Sequence, residues 1–229
     1  MLIAENIAKI EERIQKACNS AGRKRGEITL MGVTKFVPLP KTEEAYRCGI
    51  RCFGESRVKE AGEKFGDFRN NHSDAQLHLI GSLQRNKARQ AVSLFDCIQS
   101  VDRNELIDEL KKHSQRAVNV LFELHTGEET KSGFTNLDAL FKAVELALNA
   151  DNIVIAGLMT MAPFTEDKDL IRSSFRKLVK AARGLEKRFP SIDGKVNWDV
   201  LSMGMSNDFE AAVEEGSTLL RIGSAIFSE

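Results

Sequence analysis

The 229-residue sequence predicts an α/β fold, a single (β/α)₈ or TIM barrel preceded by an extra N-terminal helix. Three observations predict it: eight short apolar segments, helical stretches between them, and about 25 residues per unit from residue 28 onward. Strands that alternate with helices pair in parallel through right-handed crossovers. No composition change marks a second domain, so residues 1–229 are expected to form one domain. An open, doubly wound sheet is the alternative that this periodicity leaves open.

The opening helix is indicated by four isoleucines that fall on one stripe of an α-helix, namely Ile3, Ile7, Ile10 and Ile14. It is expected to cover the barrel where a full eighth helix is missing. The expected strands are Ile28–Thr34, Arg51–Gly54, Leu77–Gly81, Cys97–Val101, Val118–Leu124, Ile153–Met159, Asp199–Met203 and Leu219–Ile222. The helices expected between them are Thr42–Cys48, Arg57–Lys64, Gln84–Val92, Arg103–Ser114, Asn136–Leu148, Asp167–Lys187 and Asn207–Glu214.

Three helix ends carry cap signals. Thr135 with Asp138, and Asp102 with Glu105, have the spacing of a capping box, in which a side-chain oxygen accepts a first-turn N–H. Gly216 stands where a helix ends on a left-handed residue. We therefore expect two boxed helix starts and one glycine stop.

Charge and composition exclude several classes of partner. Thirty-three basic residues balance thirty-three acidic ones, so neither nucleic acid nor a membrane surface is an expected partner. The four cysteines form no C-x-x-C pair and no histidine completes a zinc site with them, so no metal is expected and a reducing compartment is indicated. The N-terminus lacks the apolar stretch of a signal peptide, and the longest nearly apolar run, residues 153–162, is too short to cross a bilayer. The sequence therefore predicts a cytoplasmic protein.

Candidate functional residues lie where strands end, because the C-terminal ends of the strands form the active face of such a barrel. Lys35 directly follows the first strand. If the mouth of the barrel is closed, desolvation favours the neutral amine that attacks a carbonyl group. A lysine that simply reaches into water is the alternative on position alone.

Two glycine-bounded segments, Leu201–Ser206 and Gly216–Ala225, close the last two strands and predict a phosphate site. Glycine lets backbone N–H groups approach an anion, and a helix N-terminus adds positive potential. Ser206 is expected to donate to the phosphate, and Asp208 to point away from it; two ordinary cap turns are the alternative. Arg221, inside the last strand, needs an acceptor within the barrel, with a structural salt bridge as the alternative.

The histidines and the common motifs give no second site. His72 and His113 are expected to be solvated, and His78 and His125 to be hydrogen-bonded barrel residues. The sequence has no P-loop, no strand-led GxGxxG and no Ser-His-Asp arrangement. Walker-type ATPases, Rossmann dehydrogenases and common hydrolases are therefore without support.

Eight motifs in order along the chain carry a family resemblance. They are Val33–Lys35, Phe53–Glu60, His78–Lys87, Ile98–Asp102, Lys131–Phe134, Gly157–Pro163, Leu201–Ser206 and Arg221–Phe227. Together they resemble the pyridoxal 5′-phosphate (PLP) homeostasis proteins, small barrels related to the alanine racemase N-terminal domain. The resemblance implies a fold type III PLP-binding barrel and a role in intracellular PLP homeostasis.

The resemblance also implies a role for each matching residue. Lys35 would form the internal aldimine with the aldehyde of PLP, and Met203 would line the ring pocket. Arg221 would face the pyridine nitrogen and keep it unprotonated by charge repulsion, which weakens the cofactor as an electron sink. The phosphate would be held by Ser206, Gly223 and Ser224.

Two positions depart from the family pattern. Ser56 stands where the family has the asparagine of a Gly-Glu-Asn motif, so its contact to the cofactor is shortened or routed through water. The family ending continues Phe-Gly, whereas this chain reads Phe227-Ser228-Glu229.

The resemblance implies a carrier that delivers PLP to apo PLP-dependent enzymes, as a monomer or weak homodimer, with no catalytic residue. The alternative is a small single-domain PLP-dependent amino-acid racemase. Alanine racemase takes a second base, a tyrosine, from another domain, and the single tyrosine here, Tyr46, is predicted on the helix after the first strand. Racemisation through Lys35 alone would depend on water to deliver a proton to the other face.

Overall fold

The computed structural model describes residues 2–127 and 132–228. Within them, parallel strands form a closed barrel in sequence order, with β1 hydrogen-bonded to both β2 and β8. The strands are β1 Thr29–Val33, β2 Cys52–Glu55, β3 Gln76–Leu79, β4 Cys97–Val101, β5 Val118–Glu123, β6 Ile153–Met159, β7 Val196–Ser202 and β8 Leu219–Ile222. Closure between β1 and β8 confirms the predicted (β/α)₈ barrel and excludes the open sheet.

The helices surround the barrel and alternate with its strands. They are α1 Leu2–Ser20, α2 Leu39–Arg47, α3 Val58–Asn71, α4 Ala88–Leu94, α5 Asn104–His113, α6 Leu137–Leu148, α7 Lys168–Arg188, α8 Phe209–Glu214 and α9 Ser224–Phe227. In the described part of the chain, no helix combines the length and the apolar character that crossing a bilayer requires.

Helix α1 packs where a full eighth helix would lie, because α9 after β8 is only one turn long. The four isoleucines of its apolar stripe are buried, as the spacing predicts. The side-chain amide of Asn6 donates to the carbonyl of Ile226 at 3.1 Å. These contacts confirm that the opening helix covers the barrel where a full eighth helix is missing.

Several elements differ in their bounds from the sequence-based expectation: α2 begins at Leu39 rather than Thr42 and α4 at Ala88 rather than Gln84, and α3 and β7 show a physical reason for such differences. Helix α3 continues past Lys64 to Asn71 in spite of Gly66, because Phe65 and Phe68 on its inner face are buried. Strand β7 begins at Val196 rather than at Asp199, since its outward residues are polar and hide the apolar alternation. In both elements, tertiary packing outweighs the local sequence signal.

The cap signals were right in one case of three. At α6 the side chain of Asn136, not of Thr135, accepts a backbone N–H, that of Ala139 at 2.9 Å. At α5 the residue before the helix is Arg103, which makes no side-chain cap bond, and Asp102 pairs with the Arg103 guanidinium instead. Gly216 has φ of 108°, which confirms the predicted glycine stop after α8.

Gly157 allows β6 to bulge in the middle of the sheet. The pairing of β6 shifts register at this point with both β5 and β7. Gly157 has φ of 145°, and a Cβ atom there would lie 2.0 Å from the carbonyl oxygen of Val200. Only a glycine fits, because a bulge of this kind needs a left-handed backbone and close strand approach. The bulge sets the direction of the end of β6 at the barrel mouth.

Candidate functional site

A cavity of about 600 Å³ opens at the C-terminal ends of the strands. This size lies in the range of small-molecule sites. Six of the seven predicted site residues line it: Lys35, Ser56, Ser206, Arg221, Gly223 and Ser224. Because β8 pairs with β1, the fold brings residues near the two ends of the sequence to the same cavity.

Met203 is the predicted site residue that the structure places elsewhere. Its side chain is fully buried in the apolar layer between barrel and helices, in the same cluster as Phe209. Successive side chains of a strand point to opposite faces, and the preceding Ser202 points into the barrel, where it bonds Gln99. Three other methionines line the cavity, Met159, Met161 and Met205, and Met205 belongs to the same turn as the predicted residue.

Lys35 occupies the second position of a tight turn at the exit of β1. The backbone N–H of Val37 donates to the carbonyl of Thr34 at 2.9 Å and closes the turn. Phe36 follows with φ of 63°, a left-handed conformation that costs a non-glycine residue roughly 1–3 kcal/mol. Lys35 itself is exposed, so of the two possibilities that its position left open, the structure shows the lysine that reaches into water.

Three buried or nearly buried residues, which we call the turn clamp, hold this turn: Thr34, Glu55 and Lys64. Lys64 Nζ, on α3, donates at 2.6 Å to the Thr34 carbonyl and at 2.6 Å to Glu55 Oε1. The Thr34 hydroxyl donates to the same Glu55 oxygen at 2.7 Å. Because Glu55 is only 2% exposed, its charge needs these partners. The carbonyl that closes the turn thus accepts from both the backbone and a lysine.

Arg221, on β8, lines the cavity, and its guanidinium donates to uncharged acceptors. Its Nη1 donates to Ser202 Oγ at 2.7 Å and its Nη2 to the Thr160 carbonyl at 2.8 Å. Burial lowers the pKa of Arg221 to about 10, with the carboxylates of Asp208 and Glu123 opposing the shift. The guanidinium therefore stays protonated near neutral pH, and the predicted acceptor within the barrel is found.

A chain of hydrogen bonds continues from Arg221 across the barrel interior. Since Ser202 accepts from Arg221, its own hydroxyl donates to Gln99 Oε1 at 2.6 Å. The Gln99 amide nitrogen then donates to His78 Nδ1 at 2.8 Å. His78 is therefore neutral with its proton on Nε2, and burial lowers its pKa to about 4. The expected role of His78 as a hydrogen-bonded barrel residue is confirmed.

This neutral histidine predicts a stability change with pH. The folded-state pKa of His78 lies below the ordinary value of about 6.5, so the unfolded chain binds the proton first and stability falls as pH drops from about 6.5 towards 4. His78→Asn keeps an acceptor for Gln99 but cannot be protonated. Urea unfolding near pH 7 and near pH 5 should show the wild type losing about 2 kcal/mol more than His78→Asn. Equal losses in the two proteins would contradict the neutral assignment.

Glu123, at the end of β5, brings a buried carboxylate to the cavity wall. Ser132 Oγ donates to its Oε1 at 2.8 Å. Burial raises the pKa of Glu123, opposed by this hydrogen bond and by the charge of Arg221. Glu123 was not predicted as a site residue, because the expected strand ran on to Leu124 and candidates were sought only beyond it. Lys131, from the motif in the following loop, lies outside the described residues.

The turns after β7 and β8 meet through their serines. Ser206 Oγ accepts from the Ser224 hydroxyl at 3.0 Å and from the Ala225 N–H at 3.3 Å. Asp208 also lines the cavity, and its carboxylate accepts from the Met205 N–H; that it points away from a bound phosphate stays a prediction. The result is a polar corner of hydroxyls and backbone N–H groups, which suits an anion.

Ser56 lines the cavity at the exit of β2, next to the exit of β3. Gly81 permits the approach, since a Cβ atom there would lie 2.2 Å from the Ser56 carbonyl oxygen. The Ser100 hydroxyl donates to the Gly81 carbonyl at 2.6 Å and holds this loop in place. The backbone of Ser56 is therefore tightly fixed, while its side chain is partly exposed to the cavity.

The donor set defines the ligand chemistry that the cavity suits. It combines a lysine amine, a corner for a phosphate-like anion and a protonated guanidinium. Such a set fits a small molecule that carries an aldehyde, a phosphate and a ring acceptor. Among residues 2–127 and 132–228, no group of three or more histidine, cysteine, aspartate or glutamate side chains could hold a metal ion.

Comparison with known proteins agrees with the class that this fold and site define. The profile of the alanine racemase N-terminal domain matches residues 5–229. A pyridoxal phosphate homeostasis protein of Aquifex aeolicus is 39% identical over 235 residues, which cover 100% of this chain and 99% of the relative. The chain therefore belongs to the pyridoxal phosphate homeostasis protein family, within the alanine racemase N-terminal domain class, and the resemblance of its motifs is confirmed.

Solved structures show the same relationship. PipY of Synechococcus elongatus, 30% identical, superposes with TM-scores of 0.86 without PLP and 0.85 with PLP bound, covering 99% of this chain and 100% of PipY. Alanine racemase of Corynebacterium glutamicum shares the barrel with a TM-score of 0.70 at 17% identity. The alignment covers 99% of this chain but 60% of that racemase, so the likeness is one of fold.

Proposed function

We propose that the protein binds PLP in this cavity, holds it through a Schiff base with Lys35 and delivers it to apo PLP-dependent enzymes in the service of intracellular PLP homeostasis. The observation that carries the proposal is that the Lys35 amine and the Ser206–Ser224 corner line one cavity. The PLP-bound structure of PipY, a relative that matches over 99% of this chain, supports it.

Each residue of the cavity has a proposed task. The aldehyde of PLP condenses reversibly with a lysine amine and releases water, and Lys35 provides that amine. Arg221, held by Ser202 and Thr160, faces the ring nitrogen and disfavours its protonation. Ser56 contacts the cofactor directly or through water, and Met205 packs on the ring. The phosphate is bound by Ser206, Gly223 and Ser224.

The position of Tyr46 favours a carrier over a racemase. Tyr46 is the one tyrosine of the sequence, and its hydroxyl donates to Asp74 at 2.6 Å, just before β3. Arg51, just before β2, lies over its ring at 4.0 Å. These partners precede their strands, so Tyr46 lies at the barrel end opposite the cavity and provides no second base there. The names of the relatives, homeostasis proteins rather than racemases, support the same choice.

The setting of the function is also proposed. Residues 1–229 act as one PLP-binding domain, a monomer or weak homodimer, in the cytoplasm. The four cysteines are free thiols, which supports a reducing compartment. Burial raises the pKa of the Cys52 thiol to about 12, so it stays unreactive inside the barrel.

Borohydride reduction tests the proposal. Purified protein is incubated with PLP, reduced, digested and mapped by mass spectrometry. We expect one equivalent of reduced cofactor on the peptide that contains Lys35. Modification spread over surface lysines, with none at Lys35, would falsify the site.

A chirality assay separates the carrier from the racemase. The PLP-loaded protein is incubated with L-alanine or D-alanine, and the enantiomer ratio is followed by chiral chromatography. We expect no interconversion above the rate of free PLP. Turnover at ordinary enzymatic rates, roughly 1–10³ per second, would establish the racemase instead.

A further inference from the structure

We propose that Glu55 and Lys64 are positioning residues for Lys35, which keep the strained turn at the exit of β1 in the one conformation that presents the amine to the cavity. The inference rests on the proposed function for the identity of the aldehyde. It concerns Lys64, which donates to the backbone carbonyl beside Lys35, and Glu55, which accepts from Lys64 and from the Thr34 hydroxyl; neither residue lines the cavity.

The turn is strained at Phe36. Phe36 is the one non-glycine residue with positive φ in the described chain. The residue is 82% exposed and its ring lies under the Arg57 guanidinium at 5.7 Å, so packing into the core does not hold it there. A bulky residue keeps such a backbone only when its surroundings impose it. The residue next to the reactive amine therefore needs an external restraint.

The turn clamp supplies this restraint at the Thr34 carbonyl. That carbonyl belongs to the peptide group that joins Thr34 to Lys35, and it accepts from both Val37 N–H and Lys64 Nζ. Glu55 orients the ammonium and is itself buried, and the Thr34 hydroxyl donates to the same carboxylate oxygen. The turn clamp thus fixes the plane of the peptide that carries Lys35. Without it, only the Val37 N–H holds that carbonyl, so the peptide rotates more easily and the amine spends less time at the mouth.

The test uses the neutral pair Glu55→Gln with Lys64→Met, which removes both charges together and leaves no lone buried ion. We expect covalent loading of Lys35 by PLP to slow by about tenfold to a hundredfold, the range for a reacting group misplaced by about 1 Å. Before any cofactor is added, hydrogen exchange at the Val37 amide should become faster. Lys59→Met, which removes an exposed lysine of the same helix, is the matched control and should load at the wild-type rate.

A rescue distinguishes positioning from general loss of structure. Adding Phe36→Gly to the neutral pair removes the strain, because glycine adopts positive φ freely, and should restore most of the loading rate. Should the neutral pair fail to fold, Thr34→Val removes the hydroxyl bond to Glu55 at 2.7 Å together with a longer one to the Gly54 carbonyl at 3.5 Å, and loading should still slow. Unchanged loading in the folded variant, or no recovery with Phe36→Gly, overturns the inference. If the wild type itself takes up no PLP, the proposed function fails instead.

Discussion

Lys35→Met is expected to abolish the covalent attachment of PLP completely. Lys35 is the one lysine among the described residues that line the cavity, so no neighbouring amine can replace it there. Methionine has a similar length but no nucleophilic nitrogen. Borohydride reduction followed by mass spectrometry of the intact protein should show no added mass in the variant and one cofactor equivalent in the wild type.

The same variant should keep its fold and a weaker, reversible affinity for the cofactor. Lys35 is exposed, and surface substitutions away from special contacts change stability by less than about 0.5 kcal/mol. The proposed phosphate site at Ser206 and Ser224 is unchanged in this variant. Lys41→Met, on the helix that follows, is the control and should load normally. A full equivalent of reduced cofactor on Lys35→Met would show that another lysine is the attachment site.

Gly157→Ala is expected to have the largest effect on stability. The added methyl group would lie 2.0 Å from the Val200 carbonyl oxygen and 3.0 Å from the Val200 nitrogen, both backbone atoms between paired strands. The φ of 145° is unfavourable for alanine as well. Since β6 and β7 cannot separate without breaking their hydrogen bonds, we expect a loss of more than about 4 kcal/mol, or no folded protein.

Chemical denaturation and far-UV circular dichroism measure this effect. Gly66→Ala is the matched control, because Gly66 lies within α3 and a methyl group there would meet no atom within 4 Å beyond the backbone of its own helix. Alanine there should stabilise the protein by up to about 1 kcal/mol, the helix-propensity difference. A Gly157→Ala protein as stable as the wild type would mean that the bulge in β6 is absent.

The barrel itself could be predicted from the sequence because its strands are compact apolar runs. Cys97–Val101, Ile153–Met159 and Leu219–Ile222 have the predicted bounds in the structure. Strands in which buried apolar residues alternate with exposed polar ones were predicted less well, and β7 is an example. The helix starts were also harder to predict. Near Thr135 the neighbouring Asn136 provides the cap, and Asp102 pairs with the Arg103 guanidinium instead of the helix backbone.

Only the site residues that lie at the end of a strand, or in the turn that follows it, could be predicted. Lys35, Arg221 and the serines of the last turns follow from the rule that function lies at the C-terminal ends of barrel strands. The turn clamp could not be predicted, because Lys64 meets Thr34 only once α3 has its length and rotation.

Side-chain contacts across the barrel interior could not be predicted from the sequence either. Nothing in the sequence pattern requires Gln99 to bridge Ser202 and His78, because β4 and β7 are not neighbours in the sheet and meet only through its interior. The left-handed backbone of Phe36 runs against its residue type, so no local rule indicates it.

The exposure of Lys35 has a chemical consequence beyond cofactor binding. An amine that projects from an open turn meets every small carbonyl compound in the surrounding solution, including sugars and metabolic aldehydes without a phosphate. Discrimination among these compounds must then come from how long each one stays, and in the proposed function a phosphate bound by Ser206 and Ser224 provides it. Glycation of Lys35 by sugars is therefore the side reaction to expect at an amine that small molecules reach and leave readily.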